Sequence, residues 1–342
     1  MPARRARLLL KIAAYSFAAL VLLLVAAVTF TVGWRPVVGA RARAVDPSRR
    51  FAPSPARLAR GEYLVGGVVG CHECHTKTDA TRTPPVRVAQ DGSGALFIEN
   101  GAMRVVAPNI TPDRETGIGS WGDDELARAI REGIGRDGRA LFPAMPYRFF
   151  RQMSDEDLAS VIVYLRAGPP APAVAAASQT HIPFPVSRLI NAAPDPLDAP
   201  VTAPDLSGAV ARGRYLATLG ACSDCHTPTR RGRPVPGLEW AGGNTIPGGE
   251  RVVSANLTPD ASGIPYYDEN LFLEVMRTGR VKGRALGNAM PWYYYRHMTD
   301  EDLRAVFAYL RTLKPVRHLV DNAEPPSYCK LCGNRHGLGE RN

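Results

Sequence analysis

Cys71-His72-Glu73-Cys74-His75 and Cys222-Ser223-Asp224-Cys225-His226 share the spacing C-x-x-C-H, and no other feature constrains this chain as strongly. Two thiols one helical turn apart can each form a thioether with a vinyl group of one porphyrin. The adjacent imidazole can then turn inward and bind the iron. A zinc site or a disulfide would use the thiol pair but leaves a histidine at this fixed offset unexplained. Both copies are followed by threonine, Thr76 and Thr227. The expectation is two covalently bound haem c groups, one on Cys71, Cys74 and His75, the other on Cys222, Cys225 and His226, with the two histidines as proximal ligands.

The surroundings of the two motifs repeat as well. Arg60-Gly61-Glu62-Tyr63-Leu64 answers Arg212-Gly213-Arg214-Tyr215-Leu216, and Asn109-Ile110-Thr111-Pro112-Asp113 answers Asn256-Leu257-Thr258-Pro259-Asp260. Arg139-Ala140-Leu141, Ala144-Met145-Pro146 and Met153-Ser154-Asp155-Glu156-Asp157-Leu158 return at Arg284-Ala285-Leu286, Ala289-Met290-Pro291 and Met298-Thr299-Asp300-Glu301-Asp302-Leu303. Two copies of one unit are read from this order. Each predicts a helix, the cysteine motif, a loop with short strands, an amphipathic helix (123–132 or 268–276), a methionine loop, and a last helix capped by Ser154 or Thr299.

A low-spin electron-transfer haem needs a sixth ligand, and a thioether raises its potential relative to a second imidazole. Met103 has no counterpart in the second copy, and Met153 precedes an N-cap, where an apolar residue packs on the helix. Met145 and Met290 sit in matching Ala-Met-Pro loops whose proline stiffens the turn, and are the expected axial iron ligands beside His75 and His226. The competing reading is a core methionine. Tyr147 and Trp292 follow directly, and packing beside the porphyrin or in the apolar core are both open to them. His181, His297 and His318 lack partners in the other copy.

The 342-residue chain carries a formal charge of +10, with 42 Lys and Arg against 32 Asp and Glu. Residues 1–60 hold eleven of the bases and one acid, Asp46, so the remainder is neutral and a nucleic-acid partner has no support. The surplus flanks residues 12–34, a charge-free apolar run long enough to cross a bilayer and too long for the core of a cleaved signal. Arg4, Arg5, Arg7 and Lys11 precede it; Arg35, Arg41, Arg43, Arg49 and Arg50 follow, so charge alone does not set the orientation. Haem attachment in bacteria takes place in the periplasm. The expected layout is therefore a cytoplasmic N-terminus (1–11), a transmembrane anchor (12–34) and a tether (35–56). Two haem units (57–167 and 209–317) follow, joined by a proline-rich linker (168–208) and closed by a tail (318–342). The linker's apolar knot at 182–186 is expected to pack across a domain surface.

The paired C-x-x-C-H-T motifs, Asn-Ile-Thr-Pro-Asp followed by Gly117-Ile118-Gly119-Ser120-Trp121, Asp137-Gly138, Ala144-Met145-Pro146-Tyr147 and Ser154-Asp155-Glu156-Asp157 together resemble the cytochrome c subunits of bacterial membrane-bound alcohol, aldehyde and gluconate dehydrogenases. The resemblance covers roughly residues 57–315. It implies a mainly α fold, two tandem class I cytochrome c domains after one N-terminal transmembrane helix. It also implies electron flow from a dehydrogenase's cofactor towards quinone or a terminal oxidase. The function expected is electron transfer from a dehydrogenase or quinol-linked donor towards a terminal oxidase or other acceptor, with no catalytic residues in this chain. Many such subunits carry three haem domains where two are read here, so another dehydrogenase, or life as a tethered carrier, is an equal expectation. The implied location is the inner membrane with both haems in the periplasm.

The tail holds Cys329-Lys330-Leu331-Cys332-Gly333 with His336 beyond it. Glycine stands where a proximal histidine is needed, so a disulfide is expected first, and metal binding by Cys329, Cys332 and His336, or capture by a partner chain, second. The alternative to an electron carrier is a dihaem redox enzyme, such as a peroxidase or thiosulfate-oxidising cytochrome, which needs one open iron. The paired methionines argue against it.

Overall fold

The computed structural model describes residues 2–31, 34, 38–79, 81–176, 179–189, 193–230, 232–246 and 252–342. Its first element, α1 (Pro2–Thr31), contains an exposed span, Arg7–Phe30, of mean hydropathy 2.4, long and apolar enough to cross a membrane. The span starts earlier than expected because Leu8, Leu9 and Leu10 continue the apolar surface. Val32, Gly33 and Arg35 of the expected anchor and its flank lie outside the described residues. The indole of Trp34 donates to Thr29 Oγ1 at 3.1 Å.

The tether does not hang free. Arg43 forks onto Asp124 (2.5 and 2.9 Å) and reaches Glu132 (2.7 Å), Arg49 adds a contact to Asp124 (3.0 Å), and the Phe51 amide donates to Asp123 (2.7 Å). A stretch read as a plain connector is thus strapped to buried acids.

In the first repeat, α2 (Pro55–Tyr63) begins at Ser54, whose hydroxyl accepts from the Arg57 amide. It widens into a π-helical turn (Leu64–Val68) before α3 (Cys71–His75). Ribbons β1 (Thr78–Asp79) with β2 (Val86–Arg87) and β3 (Ala95–Glu99) with β4 (Arg104–Ala107) fill the expected loop region. Next come α4 (Asp123–Glu132), the short α5 (Tyr147–Phe150) and α6 (Asp155–Ala167), whose Leu158, Val161, Ile162 and Leu165 are buried as the pattern predicts. After a turn of helix in the linker, α7 (Val186–Leu189), the series recurs. It runs as α8 (Ala209–Leu219), α9 (Cys222–His226), α10 (Glu269–Thr278), α11 (Trp292–Tyr295) and α12 (Asp300–Arg311).

The two repeated glycines have a packing reason. A Cβ on Gly61 would stand 2.1 Å from the Ser160 carbonyl oxygen, and one on Gly213 would stand 1.8 Å from that of Ala305. Only glycine lets α2 cross α6, and α8 cross α12, this closely.

The repeats share one apolar core, in which Leu64, Val68, Leu158 and Ile162 join Tyr215, Leu219, Tyr294 and Leu303. The linker covers the first repeat: Val174 N donates to Ser93 O, and Arg104 and His181 exchange backbone hydrogen bonds (2.8 and 2.7 Å). Its expected apolar knot is only partly packed, since Phe184 remains 82% exposed. The methionine loops' aromatics belong to this packing. Gly133 and Gly279 close α4 and α10 in the left-handed region, and a Cβ on either would strike the ring of Tyr147 or Trp292.

Candidate haem sites

Each cysteine motif is one helical turn entered through a left-handed residue, Gly70 (φ 57°) or Ala221 (φ 51°). That entry reverses the chain and sets the two cysteines, three apart, on one face. The cysteines are half-buried and the following histidines buried. Burial pushes the thiols of Cys71 and Cys222 up to about 12 and those of Cys74 and Cys225 up to about 11. Reactive C-x-x-C pairs have the opposite shift.

His75 Nδ1 lies 2.6 Å from the Pro108 carbonyl oxygen and His226 Nδ1 lies 2.7 Å from that of Ala255. A carbonyl only accepts, so Nδ1 carries the proton and Nε2 keeps its lone pair for a metal. Burial lowers both imidazole pKa values, opposed by these hydrogen bonds, so the neutral ligating form prevails at neutral pH.

The Asn-x-Thr-Pro-Asp motif, noticed in sequence only as a landmark, locks these carbonyls in place. Asn109 Oδ1 accepts from Thr111 N (2.9 Å) while its amide donates to Ala171 O (2.7 Å). Asn256 does the same with Thr258 N (2.9 Å) and Val316 O (2.9 Å). Recurrence at the same place in both repeats was the available signal, but its partner, a backbone carbonyl, has no sequence signature.

Met145 and Met290 are half-buried against the core, each in a tight turn closed by the amide of Tyr147 or Trp292 donating to the methionine carbonyl (2.9 and 2.8 Å). The Tyr147 hydroxyl and the Trp292 Nε1 are buried and find no hydrogen-bond partner among the described residues. Buried donors are normally paired, and these two occupy equivalent positions, so an acceptor-bearing group such as a porphyrin carboxylate fits both. The donor sets suit haem. Met153 is buried core, His181 and His297 are exposed, and His72 is mostly covered and lies 3.6 Å from Asp91.

Helix α11 lies between the two motifs. A Cβ on Gly70 would stand 2.6 Å from Tyr294 Cζ, the Tyr295 hydroxyl donates to the Gly220 carbonyl, and the two rings are 4.1 Å apart.

In the tail, the disulfide expected first is not formed, Cys329 and Cys332 being free, buried thiols; both lie beside His336, the set of the second reading, and His318 joins them. That fourth residue stands eleven residues ahead of Cys329, outside the spacing of the Cys-x-x-Cys pair, so no local motif marks it.

Residues 210–314 match the cytochrome c family model, so this stretch, with Cys222, Cys225, His226 and Met290, is a cytochrome c domain and implies covalent haem c. The chain thus carries a domain of the cytochrome c family in its second repeat.

It resembles in particular the cytochrome c subunits of bacterial dehydrogenases. It is 28% identical to the alcohol dehydrogenase (quinone) cytochrome c subunit of Gluconobacter oxydans (strain 621H), over 83% of this chain and 61% of that one. It is 30% identical to the gluconate 2-dehydrogenase cytochrome c subunit of Pantoea cypripedii, over 75% and 60%. A diheme cytochrome c-type protein of Cereibacter sphaeroides is 28% identical over 78% of this chain and 89% of its own length. The chain spans about three fifths of the two dehydrogenase subunits. The expectation of an electron-transfer chain, as opposed to a catalytic one, agrees with these names.

Proposed function

We propose that this chain is a membrane-anchored dihaem c-type cytochrome that passes electrons from a dehydrogenase or quinol-linked donor towards a terminal oxidase or another acceptor. The observation that carries the reading is the duplicated half-site. In each repeat a C-x-x-C-H turn has its histidine oriented by a backbone carbonyl, and a methionine turn is followed by a buried, unpaired donor. Residues 57–167 and 209–317 are read as two tandem class I cytochrome c domains, with α1 as the anchor, residues 1–11 cytoplasmic and both haem domains in the periplasm.

Haem supplies reversible one-electron chemistry at iron. The protein's part is to hold it. Cys71, Cys74, Cys222 and Cys225 would take the thioethers, and His75 and His226, through Nε2, would ligate the irons together with Met145 and Met290. Tyr147 and Trp292 would be free to donate to the porphyrin's carboxylates. With a histidine and a methionine from the protein on each iron, no iron position would be left for a substrate. The resemblance to dehydrogenase cytochrome subunits supports a dehydrogenase partner, and the 89% coverage of the diheme relative supports two haems.

The test is optical. A pyridine haemochrome assay of the purified full chain should give two haems c per polypeptide. The ferric spectrum should show the methionine-to-iron charge-transfer band, and the ferrous form should not bind carbon monoxide. One haem per chain, or rapid carbon monoxide uptake, would sink the closed two-haem reading and favour a redox enzyme.

A further inference from the structure

His318, Cys329, Cys332 and His336 bring their ligating atoms within 4.8 Å of one another, and all four residues are fully buried. Cys329 Sγ lies 3.5 Å from His318 Nε2 and Cys332 Sγ lies 3.4 Å from His336 Nε2. With Zn–S near 2.3 Å and Zn–N near 2.05 Å, a tetrahedral ion sets its S···N edges at about 3.6 Å. The two Cys–His separations therefore match two edges of such a tetrahedron.

The surroundings complete the set. His318 Nδ1 is 2.9 Å from Ala241 O and His336 Nδ1 is 3.0 Å from Gly337 O, so both rings carry their proton on Nδ1 and aim Nε2 at the thiols. The Asn334 amide donates to Cys332 Sγ at 3.4 Å, as suits a thiolate. The turn that presents the cysteines depends on Gly333 (φ +79°), with Gly333 N on Cys329 O and Cys329 N on Asn334 O, both 2.9 Å. Leu238, Ala241, Val235 and Val316 wall the site off from water.

We propose that these four residues form a structural zinc(II) site that knots the tail onto the second repeat. Two neutral imidazoles and two thiolates in a closed, water-free tetrahedron are the donors zinc takes in structural sites. Binding releases the two thiol protons and leaves a neutral centre, which removes the cost of burying two thiolates.

The knot has a place to act. Ala241, which orients His318, precedes Gly242, whose amide donates to His226 O at 2.8 Å. Asn334 Nδ2 donates to Gly243 O (2.9 Å), and Asn322 pairs with both backbone groups of Val253 (2.9 and 2.8 Å), two residues before the Ala255 carbonyl that holds His226. In the first repeat the linker covers the matching loop through Ala171. In the second, Val316 and the knotted tail do so. The zinc site thus braces the loop beneath the second histidine and leaves the first untouched.

The experiment is elemental analysis of the purified full chain expressed in zinc-supplemented medium, with X-ray absorption at the zinc edge, which the haem irons do not obscure. The expected result is about one zinc per chain, with two sulfur ligands near 2.3 Å and two nitrogen ligands near 2.0 Å. H318Q and C332S should lower zinc occupancy more than about tenfold. Haem content should stay unchanged, and the spectral changes should be confined to the second haem. If a variant fails to accumulate, the wild type still decides: alkylation under denaturing conditions with chelator should modify both Cys329 and Cys332. A Cys329–Cys332 disulfide, a chain without zinc, a zinc edge lacking sulfur, or full zinc in C332S would each overturn the proposal.

Discussion

The hydroxyl of Tyr215 donates to the carboxylate of Asp157 at 2.8 Å, and Tyr63 makes the equivalent bond to Asp302. Each repeat thus places the tyrosine before its own cysteine motif on the first turn of the other repeat's last helix. Ser154 N donates to Tyr215 Oη (2.9 Å) and Thr299 N to Tyr63 Oη (3.3 Å), so each phenol also serves a helix N-terminus. The exchange is reciprocal, as at a two-fold interface folded into one chain.

Tyr215→Phe should therefore destabilise the chain by about 1–3 kcal/mol, because it leaves the buried Ser154 amide without its acceptor. Tyr63→Phe should cost less, about 0.5–1.5 kcal/mol, since its contact to Thr299 is longer and more exposed. Guanidinium unfolding followed in the aromatic ultraviolet would measure both. Equal and negligible effects would mean that the apolar core alone joins the repeats.

The glycine crossings make a sharper contrast. Gly61→Ala and Gly213→Ala drive a methyl into a backbone carbonyl and should each cost about 1–3 kcal/mol or more, with the helix pair forced apart. Gly66→Ala meets nothing within 4 Å and should be neutral or stabilising by up to about 1 kcal/mol. Melting temperatures of the three variants would settle the order.

The tether predicts a pH signature. Burial would raise the Asp124 pKa, but hydrogen bonds from Arg43, the Asp46 amide and Arg49 outweigh it and hold the carboxyl down to about 2. Since the folded value lies below the unfolded one, the stabilisation is fully present above about pH 4 and is lost as pH falls through 2. Asp124→Asn should cost about 1–2 kcal/mol at pH 7, allowing for solvent around the partly exposed arginines, and almost nothing near pH 2. Protease cleavage within residues 38–50 should quicken in parallel at neutral pH.

Met145→His and Met290→His replace a thioether by an imidazole, and each should lower the potential of one haem and abolish half of the methionine charge-transfer band. Axial ligand choice moves haem potentials over about 0.8 V, so the split should be plain in a redox titration. An unchanged band in either variant would show that another residue holds that iron.

Legibility followed the range of the interactions involved. The range 123–132 of α4 and the caps of α6 and α12 were readable, because hydrophobic period and capping act within a few residues. The carboxylates at Asp157 and Asp302 were also visible, but their partners were not. They face Arg60 and Tyr215, and Arg212 and Tyr63. Tyr147 and Trp292 had been left between porphyrin and core. Their rings sit on Gly133 and Gly279, while their unpaired donors point to a further group.

The sequence by itself determined the two cysteine motifs, the paired methionine loops, the repeat and the apolar N-terminal run, because each is a matter of residue type at a local spacing. Tertiary structure alone decided that the repeats interlock through Tyr63 and Tyr215, that residues 43–51 are strapped to buried acids, and that His318 completes a four-ligand cluster. Those contacts join residues far apart in the chain, and only the closed backbone brings their polar atoms to bonding distance.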